Sequence, residues 1–364
     1  MVSYFQIKEL ERVEDDDIHL AIAEIMAVCL GECGIEDIPC DNDELAKNYA
    51  NSRPKDQRLG YLEEPQLARK EALDNIEGSI RILAESRAEQ LGRWYPFVVA
   101  PRDGVLLARK AGLRENVEGT CYLCMQLHLL YSADRIEFGM LPGGREEKPH
   151  LDFTQPFQKL FEIIAGIAIA NETGGLPILL GESRSTKRQL LARLSSVCRC
   201  AERGAAKAFD QLNLNQRQSN DGGIDAVILK KKEDELQETI LVGATIQKSH
   251  LRKKMVDPQA IHRFRGFLID GDALSPYRGF FAHPMPYDIG RRGLCGETNC
   301  RYFHKDDILR NLRPLSDAPP IASYRKTSAE RSAIVQLRRI GQLTFRLEFD
   351  DYRIDDAIVN AEVD

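Results

Sequence analysis

The sequence lacks any apolar run long enough to cross a membrane. Such a run needs about eighteen consecutive apolar residues, and the longest candidate, 161–170, contains Glu162 and Gly166. The first residues of the chain also lack a basic stretch followed by an apolar one, so no export signal is expected. We therefore expect a cytoplasmic protein without a membrane segment.

Two common catalytic motifs are missing as well. The stretch 181–185 has the glycine and serines of a phosphate-binding loop but not its Gly-Lys end, so NTP hydrolysis by this chain is not expected. No Gly-x-Ser-x-Gly elbow occurs, and chemistry through a nucleophilic serine is therefore not supported.

The composition is that of an ordinary globular protein. The chain has 364 residues, of which 43% are hydrophobic and 29% charged, enough for two or three units with a core each. Nine cysteines, an odd number scattered along the chain, indicate reduced thiols rather than a disulfide framework. The net charge of −6 argues against nucleic-acid binding over the whole surface, so any such binding depends on a local basic patch.

A stretch rich in proline, glycine and charge, 141–149, predicts a domain boundary. Residues 1–150 are expected to form a mostly helical domain for recognition or assembly, with helices at about 16–30 and 64–91 and either a strand or a buried helix over 120–131. Residues 151–364 alternate helical and strand patterns. The fold class is therefore α/β (α+β).

The second domain begins with an apolar helical pattern that Thr154 can cap and that runs to about Asn171. A second helix is predicted over about 185–212, two strands on either side of a charged loop at 230–238, a helix from Pro258 to Phe267, and a strand at 279–282. Asp306–Leu312 is predicted to be helical and 343–349 to be a late strand.

The two strands around the charged loop carry the strongest chemical signal. Gly222 and Gly223 come just before Asp225, which stands at the start of an apolar strand. The second strand ends in Gln247 and Lys248. A turn near residue 235 sets Asp225 across from 245–247. A carboxylate that holds Mg²⁺ beside a lysine suits hydrolysis of a phosphodiester.

Glycine-Ile-Asp-Ala-Val followed by an apolar strand ending in Gln-Lys resembles the PD-(D/E)xK nuclease superfamily, the restriction-endonuclease-like fold, in its defence-associated and type IV restriction branch. The resemblance covers about 155–310 and implies a central mixed sheet flanked by helices. It implies a catalytic set of Asp225, Gln247, Lys248 and a helical acid, with Asp225 and Glu162 as metal ligands.

The same resemblance implies an Mg²⁺-dependent or Mn²⁺-dependent DNA endonuclease that acts in bacterial defence against phage or plasmid DNA. Proteins of this kind form homo-oligomers or join a partner ATPase or sensor subunit. The alternative is a catalytically inactive nuclease fold that serves as a scaffold or as a nucleic-acid-binding subunit.

Two features depart from the pattern of the superfamily. Gln247 and Lys248 are adjacent, so their side chains point to opposite faces of a regular strand, and the residue two before the lysine is Ile246. The lysine is therefore Lys248 or, further along, Lys253 or Lys254. The helical acid is Glu162 or its rival Glu202, and the apolar neighbours of Glu162 favour the former.

Basic residues follow the second strand and predict contacts to phosphates. The expected nucleic-acid-binding set is Lys248, His250, Arg252, Lys253, Lys254 and Arg263. The alternative is a solvated start of the next helix.

Cysteine and histidine give a weaker signal for zinc. Cys295, Cys300, His304 and the upstream His283 have the right residue types without a familiar spacing. Buried free thiols are the alternative for the other cysteine pairs, Cys121 with Cys124 and Cys198 with Cys200. Zinc is therefore a secondary expectation beside Mg²⁺.

Overall fold

The structure is a computed structural model, and it describes residues 3–10, 15–92, 95–99, 105–110, 117–140, 150–180, 187–213, 223–233, 235–246, 255–285, 300–311, 347–349 and 352–354. The chain forms two compact units. The first comprises Met1–His150 and Arg338–Asp364, and the second Leu151–Leu337. The sequence had left 338–364 with the second domain. None of the helices in these ranges is both long and apolar enough to cross a bilayer.

The first unit is built mainly from helices. They are α1 (Asp16–Leu30), α2 (Asn42–Ser52), α3 (Lys55–Glu63), α4 (Pro65–Leu91) and α5 (Val117–Ser132). The helices expected at 16–30 and 64–91 are confirmed, and the ambiguous stretch 120–131 is helical. The Asp15 side chain fixes the start of α1 by accepting a hydrogen bond from the Asp17 amide, and Gly31 ends the helix at φ 95°.

Two small sheets accompany these helices. The first contains β1 (Ser3–Ile7), β5 (Ile136–Met140), β11 (Leu347–Phe349) and β12 (Tyr352–Ile354), in the order β12-β11-β1-β5. Because β11 pairs in parallel with β1, the end of the chain belongs to the first unit. The second sheet contains β2 (Glu32–Cys33), β3 (Phe97–Val99) and β4 (Leu107–Arg109) in the antiparallel order β2-β4-β3.

The second unit is a mixed five-stranded sheet flanked by helices. Its strands are β6 (Leu176–Leu179), β7 (Ala226–Lys232), β8 (Glu235–Ala244), β9 (Tyr277–Ala282) and β10 (Cys300–Phe303), in the order β10-β9-β8-β7-β6. Strands β6 to β8 are antiparallel, whereas β8, β9 and β10 are parallel. Its helices are α6 (His150–Thr173), α7 (Lys187–Ala201), α8 (Pro258–Arg265) and α9 (Lys305–Asn311). The mixed α/β class expected from the sequence is confirmed.

Helices cover both faces of this sheet. Val227, Leu229 and Leu241 share one buried core with residues of α7 and α8. On the other face, Gly166 of α6 packs against Ala226. This alternation of neighbours along β7 is what a strand buried on both sides requires.

Several boundaries differ from the sequence predictions. Helix α6 begins at His150, so Thr154 lies inside it and does not cap it. Helix α7 ends at Ala201 rather than near 212, because Glu202 (φ 56°) and Gly204 (φ 70°) leave helical geometry. The predicted loop 230–238 is mostly strand, and the chain reverses at Glu233.

The earlier reversal also corrects the predicted register of the hairpin. Ala226 pairs with Val242, which brings Asp225 beside Gly243 and Ala244 rather than across from 245–247. Because β7 runs opposite to β8, β9 and β10, it starts at the end of the sheet where those three strands finish. We call this the carboxyl end of the sheet, and the other end the hairpin-tip end.

Candidate active site at the carboxyl end of the sheet

Asp225 is the residue around which this end of the sheet is built. It is 1% exposed and directly precedes β7. Its amide donates to the Val242 carbonyl at 2.7 Å, and its carbonyl accepts from the Leu180 amide at 2.9 Å. Its carboxylate Oδ2 accepts a hydrogen bond of 2.8 Å from the Ala244 amide. The carboxylate is therefore held in a fixed position beside the end of β8.

Helix α6 brings a second carboxylate to the same end. A Cβ on Gly166 would lie 3.4 Å from the Ala226 Cβ and 3.5 Å from a Leu179 methyl, so the helix packs closely on the start of β7. The helix leads through Gly174 into β6, which runs antiparallel to β7 and therefore begins at the hairpin-tip end of the sheet. The helix thus ends at the hairpin-tip end, and its amino-terminal half extends towards the carboxyl end. Glu162 lies one turn before Gly166 on the same helix face, about 6 Å along the axis. This places the backbone of Glu162 beyond Ala226, towards the carboxyl end of the sheet.

Glu162 is paired with a lysine that the sequence analysis did not single out. Lys159 Nζ lies 3.2 Å from Glu162 Oε2, and the two side chains are 8% and 18% exposed. They are the only charged residues in the stretch 159–170, whose remaining side chains are apolar. Because a charge away from water needs a partner, this ion pair satisfies both groups within a buried helix.

His283 follows β9 at the carboxyl end and is fully buried. Its Nδ1 accepts a hydrogen bond of 3.3 Å from the Met285 amide, and the Tyr302 hydroxyl donates to the Met285 carbonyl at 2.9 Å. Because Nδ1 acts as an acceptor, the neutral imidazole carries its proton on Nε2.

Lys305 begins α9, immediately beyond β10, and is 1% exposed. The Asn171 side chain donates to the Asn311 carbonyl at 2.8 Å, which joins the end of α9 to the end of α6. The two helices therefore run in the same direction, and both approach the carboxyl end through their amino-terminal parts. Lys305 is a second lysine that the sequence analysis missed.

Buried polar groups are concentrated at this end of the sheet. In the described part of the second unit, six polar or charged residues are buried, and five of them belong to the carboxyl end: Lys159, Asp225, Thr245, His283 and Lys305. The sixth, Thr239, pairs with the start of β9 at the hairpin-tip end. Burial of polar groups is costly, so their collection at one end of a sheet is typical of a functional site.

Two residues from the sequence analysis lie away from Asp225. Glu202, the rival helical acid, is exposed and forms an ion pair of 3.0 Å with Lys231 near the hairpin tip. Lys231 lies six positions after Asp225, about 20 Å along β7. Arg263 is exposed in the last turn of α8, next to Phe264, whose ring packs on Tyr277 at the start of β9. The structure does not bring Arg263 to the carboxyl end.

The remaining predicted site residues lie outside the described residues: Gln247, Lys248, His250, Arg252, Lys253 and Lys254. The described part of the second strand of the hairpin ends at Ile246, which is buried. Thr245, just before it, donates its amide to the Ala282 carbonyl at 3.1 Å and so continues the pairing of β8 with β9.

The donor atoms at this end suit a hard cation only in part. Asp225 and Glu162 offer carboxylate oxygens, and Mg²⁺ in proteins is often held by one or two carboxylates while it keeps several waters. Within the ranges the structure describes, no group of three or more His, Cys, Asp or Glu residues has the arrangement of a metal site. The described residues at this end therefore offer two carboxylates and no complete metal site.

Zinc is not supported by the residues that the structure describes. Cys300 starts β10 and His304 follows its end, so they are about 13 Å apart along an extended strand. Two ligands of one zinc ion lie within about 4 Å of each other. His283 lies near His304, because its amide donates to the Phe303 carbonyl at 3.1 Å. Cys295 is outside the described residues.

Both missed lysines had a signal in the sequence. Lys159 stands three residues before Glu162 in an otherwise apolar helical run, and such a pair shares one helix face. Lys305 follows β10, which ends at the same edge of the sheet as the parallel strands β8 and β9. Ligands bind at the edge where parallel strands finish. The second signal required the strand order, which the sequence did not provide.

Comparison of the chain with protein-family models, with curated proteins and with solved structures finds no match.

Proposed function

We propose that the second unit is a metal-dependent nuclease of the PD-(D/E)xK type that hydrolyses phosphodiester bonds in DNA. The observation that carries this proposal is the burial of Asp225 at the carboxyl end of the sheet, towards which the helix that bears Glu162 also extends. Asp225 is buried beside the end of β8, and Glu162 comes from the helix that packs on the next residue of β7.

The order of elements supports the proposal. Helix α6 precedes β6, helix α7 separates β6 from the hairpin of β7 and β8, helix α8 follows the hairpin, and β9 then joins the sheet parallel to β8. The resemblance in sequence implies the same series: a helix with an acid, a hairpin with an aspartate, and a helix that packs on the sheet. In this proposal Asp225 is the aspartate of the hairpin and Glu162 is the acid of the helix.

The chemistry of the site follows from its side chains. Asp225 and Glu162 provide hard oxygen ligands for Mg²⁺ or Mn²⁺, and the bound cation supplies an activated water and compensation of negative charge. The hydrogen bond from Ala244 orients the Asp225 carboxylate before substrate binds, which avoids a reorganisation cost during the reaction. Lys159 and Lys305 are buried in the same unit and would add positive charge to such a site.

A cleavage assay tests this function. Supercoiled plasmid is incubated with the purified full chain and Mg²⁺ or Mn²⁺, and nicked and linear products are followed in time. Asp225→Asn and Glu162→Gln should each lower the rate at least about 100-fold, the scale of losing one preorganised charged group in an active site. Glu202→Gln, a matched change at the hairpin-tip end, should cleave as the wild type does. Equal residual cleavage in all four proteins would exclude the proposal.

The wider role that the resemblance implies belongs to the same proposal. Such a nuclease acts as the effector of a bacterial defence system against phage or plasmid DNA, as a homo-oligomer or with a partner ATPase or sensor subunit. Light scattering of the purified chain at several concentrations measures self-association, and cleavage that appears only after a second protein is added identifies dependence on a partner.

A second candidate is a nuclease fold without catalysis that acts as a scaffold or a nucleic-acid-binding subunit. It is favoured by the buried Ile246 and by the lack of a third acidic, His or Cys ligand among the residues described. Under this alternative the wild type and Asp225→Asn bind a DNA fragment with the same affinity, and neither cuts it with either metal.

A further inference from the structure

We propose that Arg278 and Arg301 form a binding site for the phosphate backbone of DNA on the α6 side of the five-stranded sheet. The choice of DNA as the ligand rests on the proposed function. Binding at this site requires neither a metal ion nor cleavage, so it can be measured separately from the nuclease reaction.

The two arginines lie on the same face of neighbouring strands. Phe281 of β9 belongs to the core shared with α7 and α8, so the adjacent Phe280 faces the side of α6, as does Arg278 two residues before it. Arg301 of β10 is the partner of Phe280 in the parallel register of β9 and β10. Its side chain therefore points to the α6 side as well, where it reaches Glu172 in the last turn of α6.

The ring of Phe280 holds both guanidinium groups. The central carbon of the Arg278 guanidinium is 5.3 Å from the centre of this ring, and that of Arg301 is 5.5 Å from it. Both distances are within the range of cation–π attraction. Because each group is close to the same buried ring, the two positive charges are held near each other at the surface of the sheet.

The carboxylates on this face do not balance its positive charges. Glu172 Oε1 lies 2.6 Å from the Arg301 guanidinium, and this exposed ion pair occupies one of the two arginines. The Arg278 guanidinium forms no hydrogen bond or ion pair with a residue that the structure describes. The next acid on this face of β8, Glu238, stands opposite Lys230 of β7 in the register. Arg278 is therefore available to an anion from outside the chain.

A phosphate suits this pair of groups. A guanidinium is planar and can donate two parallel hydrogen bonds to the oxygens of one phosphate. The contact with Phe280 already restricts both side chains, so less conformational entropy is lost when an anion binds. Each strand of DNA presents a phosphate about every 3.4 Å of helix axis, so two neighbouring arginines can contact one strand.

The position of the pair agrees with a role in holding the substrate of the proposed nuclease. Arg301 lies two residues before Phe303, the last residue of β10, and Arg278 lies four residues before Ala282, the last residue of β9. These separations correspond to about 7 Å and 13 Å along extended strands. The pair therefore lies within a few nucleotides' length of the carboxyl end of the sheet.

The test measures binding of a short fluorescent DNA duplex to the full chain by anisotropy, in EDTA and at several salt concentrations. The variants are Arg278→Gln, Arg301→Gln, Arg278→Lys and Glu172→Gln. Arg265→Gln is the matched control, because Arg265 is another exposed arginine of this unit and is already paired with Asp272 at the end of α8. Melting temperatures verify that each variant folds.

Arg278→Gln and Arg301→Gln should each bind the duplex about tenfold more weakly than the wild type, the scale of a lost hydrogen bond to a charged group. The slope of log affinity against log salt should become less steep by about one in each. Arg278→Lys keeps the charge and should keep the slope while it loses part of the affinity. Glu172→Gln releases Arg301 and should bind up to about fivefold more tightly, whereas Arg265→Gln should match the wild type.

Binding and cleavage separate this inference from the proposed function. If the wild type binds DNA without cutting it and Arg278→Gln binds more weakly, the inference stands and the nuclease function fails. If the wild type cuts DNA and both glutamine variants bind as it does, the function stands and the inference is overturned.

Three further outcomes would also overturn the inference. The first is an equal loss of affinity in Arg265→Gln, which would show that only the total charge matters. The second is wild-type DNA binding by Arg278→Gln together with lost binding of poly-glutamate or inorganic phosphate, which would identify an acidic protein or free phosphate as the ligand. The third is a wild type that does not bind DNA. If Arg301→Gln does not fold, Arg278→Gln decides the question, because it removes no hydrogen bond or ion pair to a described residue.

Discussion

The carboxylate of Asp225 and the backbone amide of Ala244 are joined by a hydrogen bond of 2.8 Å that links β7 to the end of β8. The bond turns an aspartate at the start of a strand into a buried group with a fixed orientation. The same contact therefore serves the stability of the hairpin and the geometry of the candidate site, and these two roles can be separated by mutation.

Asp225→Asn and Asp225→Ala should differ in stability. Asparagine keeps an oxygen that accepts from Ala244, whereas alanine leaves the buried amide without this acceptor. We expect Asp225→Ala to lose about 1–3 kcal/mol more of the free energy of unfolding than Asp225→Asn, the cost of an unsatisfied buried donor. Urea unfolding measures both variants. Equal midpoints would show that the bond adds nothing to stability, whatever its role in catalysis.

A glycine in β9 should tolerate no side chain. A Cβ at Gly279 would lie 2.5 Å from the Val256 carbonyl oxygen, which is backbone and cannot turn away. Gly279→Ala should therefore destabilise the second unit by about 1–3 kcal/mol, as other overpacked sites do. Thermal unfolding followed by circular dichroism gives the shift.

Gly78 in α4 provides the matched control for that change. A Cβ there meets no atom within 4 Å outside its own helix, and alanine is preferred over glycine inside a helix by about 0.5–1 kcal/mol. Gly78→Ala is expected to raise the free energy of unfolding by that amount. A loss of stability in both variants would contradict the steric explanation for Gly279.

Much of this architecture was predictable because it depends on local patterns. The periodic apolar residues and the Asp15 cap define α1, and Asp257, whose side chain accepts from the Ala260 amide at 2.7 Å, starts α8 as expected. The place of Asp225 at the start of β7 was predicted from the two glycines that precede it. These features are set by residues close in sequence, where propensity and capping act directly.

The features that escaped prediction depend on contacts between distant residues. The observed register of β7 and β8 differs from the predicted one, because charged residues expected in the loop, such as Lys231 and Glu235, extend the strands instead. Lys305 gained its significance only from the order of β8, β9 and β10. Helix α7 was predicted too long because its apolar pattern continues past Glu202, where the backbone turns. Tertiary packing overrides local preference at such points.

A buried polar network in the first unit should be cooperative. The Tyr122 hydroxyl donates to Glu24 Oε1 at 2.8 Å, and the Gln126 amide donates both to Glu24 and to the Tyr122 oxygen. All three residues are fully buried. Tyr122→Phe and Gln126→Leu should each lower the free energy of unfolding by about 1–3 kcal/mol.

The double variant reveals whether the network acts as a unit. Once Tyr122 is lost, Gln126 has already lost one of its two acceptors, so the combined cost should be less than the sum of the two by about 0.5 kcal/mol or more. Chemical unfolding of the wild type, the two single variants and the double variant completes the cycle. Strict additivity would show that Tyr122 and Gln126 bind Glu24 independently.

Thiol reactivity should follow burial. Burial raises the pKa of Cys124 to about 12 from an ordinary value of 9.0. At pH 8 only about one thiol in ten thousand is then ionised, and the thiolate is the reactive form. Cys124 should resist iodoacetamide in the native protein and react after denaturation, whereas the partly exposed Cys200 should react in both states. Mass spectrometry of peptides after brief alkylation measures each site.

The same shift has a consequence for stability at high pH. The folded-state pKa of Cys124 lies above the unfolded value, so the folded protein keeps this proton to a higher pH than the unfolded chain does. The contribution of the thiol to the free energy of unfolding is therefore fully present below about pH 9. It is lost as the pH rises from 9 towards 12. Cys124→Ala removes the titrating group, so its free energy of unfolding should fall less steeply over that interval. Parallel slopes for the two proteins would show that Cys124 ionises in the folded state as readily as in the unfolded chain.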